Sequence, residues 1–184
     1  MTKIILLRHA DTEKDKNLNA SEWGLSEFGK KQAVQLLGDT VLQDVDVIYT
    51  STERKSLLTA KPLANKLNLN INQDSNFDEV KRGDTFYSKE EFELEKQKQL
   101  SDFSYSAFDG ESLEKAYLRF KEGVEAIGTQ NEGKTILIVT HGTVLNAYLA
   151  RTFGFENKIV DRWQRTPFAG YAILENGQLI KDIV

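Results

Sequence analysis

The chain has 184 residues, 40% of them hydrophobic and 28% charged, with a formal net charge of -4, which is the size of one domain with a buried core and leaves no basic excess for nucleic acid. Zero Cys excludes disulfides, thiolate metal sites and a cysteine nucleophile. Only Ile4-Ile5-Leu6-Leu7 follow Lys3 as an unbroken apolar run, too short for a signal peptide or a membrane span, so a cytoplasmic protein folded as a single domain over residues 1–184 is expected, with no membrane partner.

Residues 3–8 read as a strand buried on both faces, followed by a polar loop from Asp11 to Glu22. Leu25 to Leu37 reads as a helix with Phe28, Ala33, Leu36 and Leu37 on its apolar side, Ser26 as the cap and Gly38 as the stop. A second strand spans Val45–Thr50, and Leu57, Ala60, Ala64 and Leu67 form a stripe on a helix from Glu53 to Leu67 that Pro62 is expected to bend. A short strand near Ile71 follows.

Segment 77–110 is polar and aromatic, an excursion over one edge of the sheet with a helix near Lys89–Leu100 whose Glu and Lys side chains are expected in solvent. Leu113, Tyr117, Phe120, Val124 and Ile127 recur at helical spacing. Strand Ile136–Thr140 and a helix from Thr143 to about Phe153 come next. Phe168–Leu174 and Leu179–Ile183 flank Asn176-Gly177, a hairpin signal. Strands alternating with helices predict an α/β fold with a mostly parallel sheet and an antiparallel edge.

Both histidines end a strand, His9 after the first and His141 after Ile136–Thr140. In a parallel α/β sheet the crevice outside the strands' carboxyl ends binds ligands, so both imidazoles would meet at one edge. Arg8 precedes the first histidine, and Arg54 follows the second strand at the mouth of its helix. Arg8, His9, Arg54 and His141 crowded together would repel one another unless an anion lay between them, and a phosphoryl group fits that need.

Two other patterns point elsewhere. Gly128–Thr135 matches the phosphate-loop motif G-x-x-x-x-G-K-[ST], but that loop follows a strand and opens a helix, whereas here a helix precedes it and a strand follows. A helix-ending turn is the better reading, with a P-loop nucleotide-binding protein as the minor alternative. Asp44 and Asp46 sit at the beginning of their strand rather than at its end, so they read as a solvated turn and not as an aspartyl nucleophile pair.

The blocks Leu7-Arg8-His9-Ala10-Asp11-Thr12-Glu13, Leu25 to Ala33, Ser51 to Ala60, Asp78-Glu79 with Gly83, Gly110-Glu111-Ser112 and Val139-Thr140-His141-Gly142 together resemble the histidine phosphatase superfamily, the phosphoglycerate-mutase-like proteins of branch 1. The likeness spans almost the whole chain. It implies a three-layer αβα sandwich and a phosphatase that hydrolyses a phosphomonoester of a small metabolite through a phosphohistidine on His9. Mutase-type phosphoryl transfer and dephosphorylation of protein phosphohistidine are the alternatives. Arg8, Arg54, His141 and the amides from Gly142 onward would hold the phosphoryl oxygens, and no metal or cofactor is implied. Glu79 matches the proton donor, a role that calls for a raised pKa. Gly110-Glu111-Ser112 reads as the start of the next helix.

Segment 77–110 would be a short cap, with Lys81, Arg82, Phe86 and Tyr87 available to the leaving group. Two positions depart from the family pattern. Ala10 stands where glycine is usual, a strain if positive φ is required. Asp15 stands where an asparagine often touches phosphate, leaving Asn17 as the candidate substrate contact.

Overall fold

The computed structural model describes residues 1–83 and 87–184. Its six-stranded sheet runs in the order β3-β2-β4-β1-β5-β6, built from β1 (Lys3–Arg8), β2 (Val47–Thr50), β3 (Ile71–Gln73), β4 (Thr135–Thr140), β5 (Tyr171–Glu175) and β6 (Gln178–Lys181). The first four strands in that order are parallel, and β5 and β6 add an antiparallel hairpin at the edge. Asn176 and Gly177 turn the hairpin with φ of 49° and 79°, the left-handed pair that a two-residue primed turn requires.

Alternation along the strands sorts the core into two layers. Ile4, Leu6, Ile136, Ile138, Ala172 and Leu174 face α4 (Leu113–Gln130), α5 (Gly142–Phe153) and α6 (Ile159–Arg165). Ile5, Leu7, Leu137, Val139 and Ile173 face α2 (Arg54–Leu67) and the turn after α1 (Glu27–Gln35). Both faces are covered, so the central strands are apolar throughout.

Several expectations need correction. Phe28 is 63% exposed, and α1 is instead held inward by Gly29 and Ala33. The buried side of α2 carries Lys55, Ser56 and Thr59 beside Ala60, Leu63 and Ala64, a polar start turned toward the strand ends. Helix α3 (Lys89–Ser101) forms as expected, but Lys96 is only 3% exposed. Helix α6 was not legible: it has seven residues and no side-chain cap at Lys158. Tertiary contacts hold it, including Arg162 bound through both terminal nitrogens to Asp182. Residues 128–135 end α4, turn at Gly133 (φ 80°) and enter β4, which removes the strand-loop-helix context of a phosphate loop.

Candidate active site

The register Arg8↔Thr140 and Thr50↔Val139 brings the carboxyl ends of β1, β4 and β2 level. The residues that follow these strands therefore share one crevice. His9 and His141 lie with ring centroids 5.1 Å apart, and His9 N–H donates to the Thr140 carbonyl at 2.8 Å. Both are buried, at 6% and 0% exposure.

His9 Nδ1 lies 2.8 Å from the Ala10 carbonyl oxygen. A carbonyl can only accept, so Nδ1 carries the proton and Nε2 keeps a lone pair. Burial first, then the neighbouring His141, Lys55 and Arg8, push the His9 pKa well below its ordinary value, although the Ala10 carbonyl opposes this. The ring is neutral at neutral pH. Ala10 is buried and is not among the residues with positive φ, so the strain feared from its methyl group does not arise.

Arg8 is held from two sides: its guanidinium stacks 3.8 Å over Phe168 and donates through Nη1 to the Thr166 carbonyl just past α6. Gly142 lets it lie there, since a Cβ at that position would stand 3.1 Å from Arg8 Nε. His141 Nε2 meets Ser51 Oγ at 2.7 Å and Ser56 Oγ at 3.3 Å. Burial, then Lys55, lowers the His141 pKa to about 3, with Glu79 opposing. Two buried nitrogens in this crevice, Arg8 Nε and His141 Nδ1, have no hydrogen-bond partner among the described residues. Such groups are costly to bury unless something receives them.

Arg54 is not the cation turned toward the histidines. It is exposed, and its Nη1 lies 3.3 Å from the Glu22 carbonyl. Lys55 is the buried one, at 6% exposure, with Nζ bonded to Glu53 and to the Ala20 carbonyl. Its charge acts on both imidazoles. The signal was available in the helical phase of α2: Lys55, Ser56 and Thr59 lie on the inner side with Ala60, and Arg54 does not.

Arg54 and Asn17 instead line an open cavity of about 550 Å³ with Trp23, Leu25 and Leu58. Asn17 hydrogen-bonds Asp15 through both its backbone and its side-chain amide. Asp15 thus folds onto its own loop.

Glu79 follows β3 and a single turn, Ser75–Phe77. Its carboxylate accepts hydrogen bonds from Thr143 N–H at 3.0 Å and Val144 N–H at 2.9 Å, the opening amides of α5, and from Val80 N–H. Burial raises its pKa. The field of His141 and Lys96 and the amide bonds outweigh that and hold it below the usual carboxylate value. The raised pKa expected of an acid is therefore corrected: in this structure Glu79 is ionised.

Arg119 of α4, which the sequence did not single out, fixes the turn that carries Glu79. Its Nη1 donates to the carbonyls of Asn76 and Asp78 at 2.8 and 2.9 Å, Nη2 to that of Glu79 at 3.0 Å, and Nε and Nη2 to Glu111 at 2.8 Å each. Glu111 thus does more than start a helix. In segment 77–110, Arg82 stacks near Phe92 and Phe108, and Lys81 donates its N–H to Glu111. Tyr87 bonds Asp109 through its hydroxyl. Phe86 lies outside the described residues.

Fold and crevice together define a doubly covered α/β protein with two histidines paired in a crevice at its strand ends. Residues 4–178 match the histidine phosphatase superfamily (branch 1), and the chain belongs to that family of hydrolases acting on phosphate monoesters. It is 29% identical over 167 residues to phosphoserine phosphatase 1 of Hydrogenobacter thermophilus, covering 85% of this chain and 78% of that protein. Among solved structures, YhfR of Bacillus stearothermophilus superimposes with a TM-score of 0.76 at 26% identity, covering 100% of this chain and 96% of that one. A mutant phosphoserine phosphatase of Entamoeba histolytica in complex with phosphoserine superimposes with a TM-score of 0.80 at 21% identity, covering 98% and 95%. No helix among the described residues is long and apolar enough to cross a membrane.

Proposed function

We propose that the chain hydrolyses the phosphomonoester of a small metabolite in two steps, without a metal ion, by way of a phosphohistidine on His9. The observation that carries this reading is the pair of buried, unpartnered nitrogens, Arg8 Nε and His141 Nδ1, beside a neutral histidine whose Nε2 is free to attack. A tetrahedral anion with several acceptor oxygens satisfies such donors, and Lys55 adds the charge that makes it favourable.

In the first step Nε2 of His9 bonds to phosphorus in line while the bond from phosphorus to the leaving oxygen breaks. Arg8, Lys55, His141 and the Gly142 amide at the start of α5 offset the charge on the equatorial oxygens. Glu79 supplies the proton to the leaving oxygen. It is ionised in the free enzyme, but a phosphoryl dianion against His141 adds like charge beside it and pushes its pKa up, so the proton enters with substrate binding. In the second step Glu79, again a carboxylate, takes a proton from water as that water attacks phosphorus and frees His9.

Arg54 stands at the cavity mouth with Asn17, where it can touch the part of the substrate beyond phosphate. Segment 77–110 acts as the cap on the opposite side. The relatives' names make phosphoserine the first substrate to try, and the absence of cysteine suits a cytoplasmic enzyme.

The test is hydrolysis of p-nitrophenyl phosphate and phosphoserine in the presence of EDTA, followed by acid quench and mapping of labile phosphate. Phosphate on His9 in the wild type, with turnover gone in His9→Ala, is the expected result. Label on another residue, or activity that EDTA abolishes, overturns the mechanism.

A further inference from the structure

Glu53 is a buried carboxylate that the two-step reaction leaves without a role. It stands at the N-cap of α2, where a side-chain oxygen ordinarily receives one of the helix's first amides, yet it makes no such bond and is only 8% exposed. Its Oε2 meets Lys55 Nζ, while Oε1 accepts the Glu79 N–H at 2.8 Å and stands 3.5 Å from His141 Nε2. One carboxylate thus touches the buried lysine, the turn that carries Glu79 and the second histidine.

The His141 ring has two unlike edges. At Nε2 three oxygens gather: Ser51 Oγ at 2.7 Å, Ser56 Oγ at 3.3 Å and the Glu53 carboxylate. Ser51 Oγ also accepts the Glu53 N–H at 3.2 Å. A hydroxyl can turn either way, but a carboxylate only accepts, so this edge favours a proton on Nε2. In the neutral ring that leaves a lone pair on Nδ1, the buried atom without a partner among the described residues. Such a lone pair repels a phosphoryl oxygen, and moving the proton from Nε2 to Nδ1 would set a lone pair against Glu53 instead. The ring can hold the anion and keep its place only by gaining a second proton.

We propose that Glu53 is a positioning residue for the phosphoryl step: it holds the Nε2–H of His141, so that the ring takes up a proton at Nδ1 when phosphate enters and binds it as an imidazolium. The inference rests on the phosphatase reading for what enters the crevice. The incoming proton comes from solvent, Nδ1–H donates to a phosphoryl oxygen, and Nε2–H points at Ser51 and Glu53. In the empty crevice burial and then Lys55 keep the ring neutral, with a pKa of about 3. The titratable groups facing it are Lys55 and Glu53 at the start of α2, Arg8 and His9 at the end of β1, Arg119 on α4 and Glu79 after β3. Only the two carboxylates among them favour the imidazolium. A phosphoryl dianion at Nδ1 adds two negative charges and engages Lys55, which reverses the balance. One proton still leaves the crevice with a net gain of negative charge, so the uptake at Glu79 is preserved.

The chain has two histidines, so isotopic labelling of histidine ring nitrogens gives two nuclear magnetic resonance patterns, and His9→Ala assigns the one that remains. The pH titration is run on protein with His9 intact, without and with saturating inorganic phosphate. Phosphate is expected to raise the His141 pKa from about 3 to above about 7, with both ring nitrogens protonated at pH 7. Glu53→Gln, which keeps an acceptor for the Glu79 N–H but not the charge, should leave the ring neutral at pH 7 and weaken phosphate binding by about 10-fold or more. Bound phosphate beside a neutral His141 overturns the inference alone, as does an imidazolium that persists in Glu53→Gln. Should that variant fail to fold, Glu53→Asp withdraws the charge by one methylene and should bring the bound-state pKa partway down; an unmoved pKa overturns the role. Phosphate that perturbs neither ring overturns the phosphatase reading, and the inference falls with it.

Discussion

The strand-end crevice and the 77–110 segment solve opposite problems with the same kind of residue. In the crevice, nitrogen donors are fixed by backbone register: Arg8 by its place at the end of β1 and its stack on Phe168, Lys55 by the first turn of α2, and His141 by the end of β4. In the 77–110 segment, Lys96 and Arg82 are placed by side-chain packing against aromatic rings. Chemistry common to a family can live where topology dictates position. Side chains placed by packing can vary in sequence without disturbing the sheet.

The sharpest way to break this comparison is at neighbouring cations in the crevice. Lys55→Met should lower kcat/KM for p-nitrophenyl phosphate by about 100-fold or more, as loss of a charged contact to a developing oxyanion does, whereas Arg54→Met should cost at most about 10-fold. Equal losses in steady-state assays would mean that Arg54 swings inward when substrate binds. The variant proteins need matching circular dichroism spectra, because Lys55→Met also removes the lysine partner of the buried Glu53 and leaves it only the Glu79 N–H and the neutral His141.

Arg119 tests the second region's hold on the first. Arg119→Ala removes donors to three carbonyls of the turn that carries Glu79, and about a 10- to 100-fold fall in kcat with little change in KM is expected, from misplacement of the carboxylate proposed as proton donor. Arg119→Lys keeps charge but not the fork, so it should recover little. A loss confined to KM would assign Arg119 to binding instead.

Much of this arrangement was legible beforehand. Strand-end histidines were readable because an apolar run followed by a histidine has one structural meaning in a parallel sheet, and Ser26 and Asn176-Gly177 are local signals that act through their own backbone. Lys55 was missed because an arginine one residue away drew the assignment, although helical phase separates the two. Lys96 was missed because a lysine in a charged helix is usually solvated, and nothing local in that helix announces that Phe108 and Trp163 close over it. Glu79 was found by its order in the chain, but its ionisation depends on the amides of α5 and the field of His141, which only the folded chain assembles.

Acid should then destabilise the crevice before the rest. His9 and His141 both have folded pKa values below the unfolded one, His141 at about 3, so the unfolded chain binds more protons as pH falls below about 6.5, and stability drops toward pH 3. Glu79, also lowered in the fold, adds to the loss at the acid end, while Asp78, raised by burial, opposes it. The unfolding free energy from urea melts should fall between pH 7 and 4.5 by on the order of 2 kcal/mol less in His141→Gln than in the wild type. An equal fall would place the acid sensitivity elsewhere.

The smallest effect isolates Lys96. Burial, then repulsion from Arg82, pushes its pKa down to about 7, with Glu79 opposing, while the unfolded value stays near 10.4. Between those values the unfolded state binds the extra proton, so wild-type stability rises with pH across this interval and the burden of the buried charge is greatest below pH 7. Glu79, the carboxylate facing it, keeps its charge throughout, and Tyr148 and Tyr171 begin to contribute only near pH 10, where the unfolded tyrosines titrate. Lys96→Met should therefore be more stable than the wild type at pH 7, with the gap narrowing by about 1–2 kcal/mol in urea melts by pH 9. A gap that stays constant with pH would mean that the ammonium is neutralised in the fold.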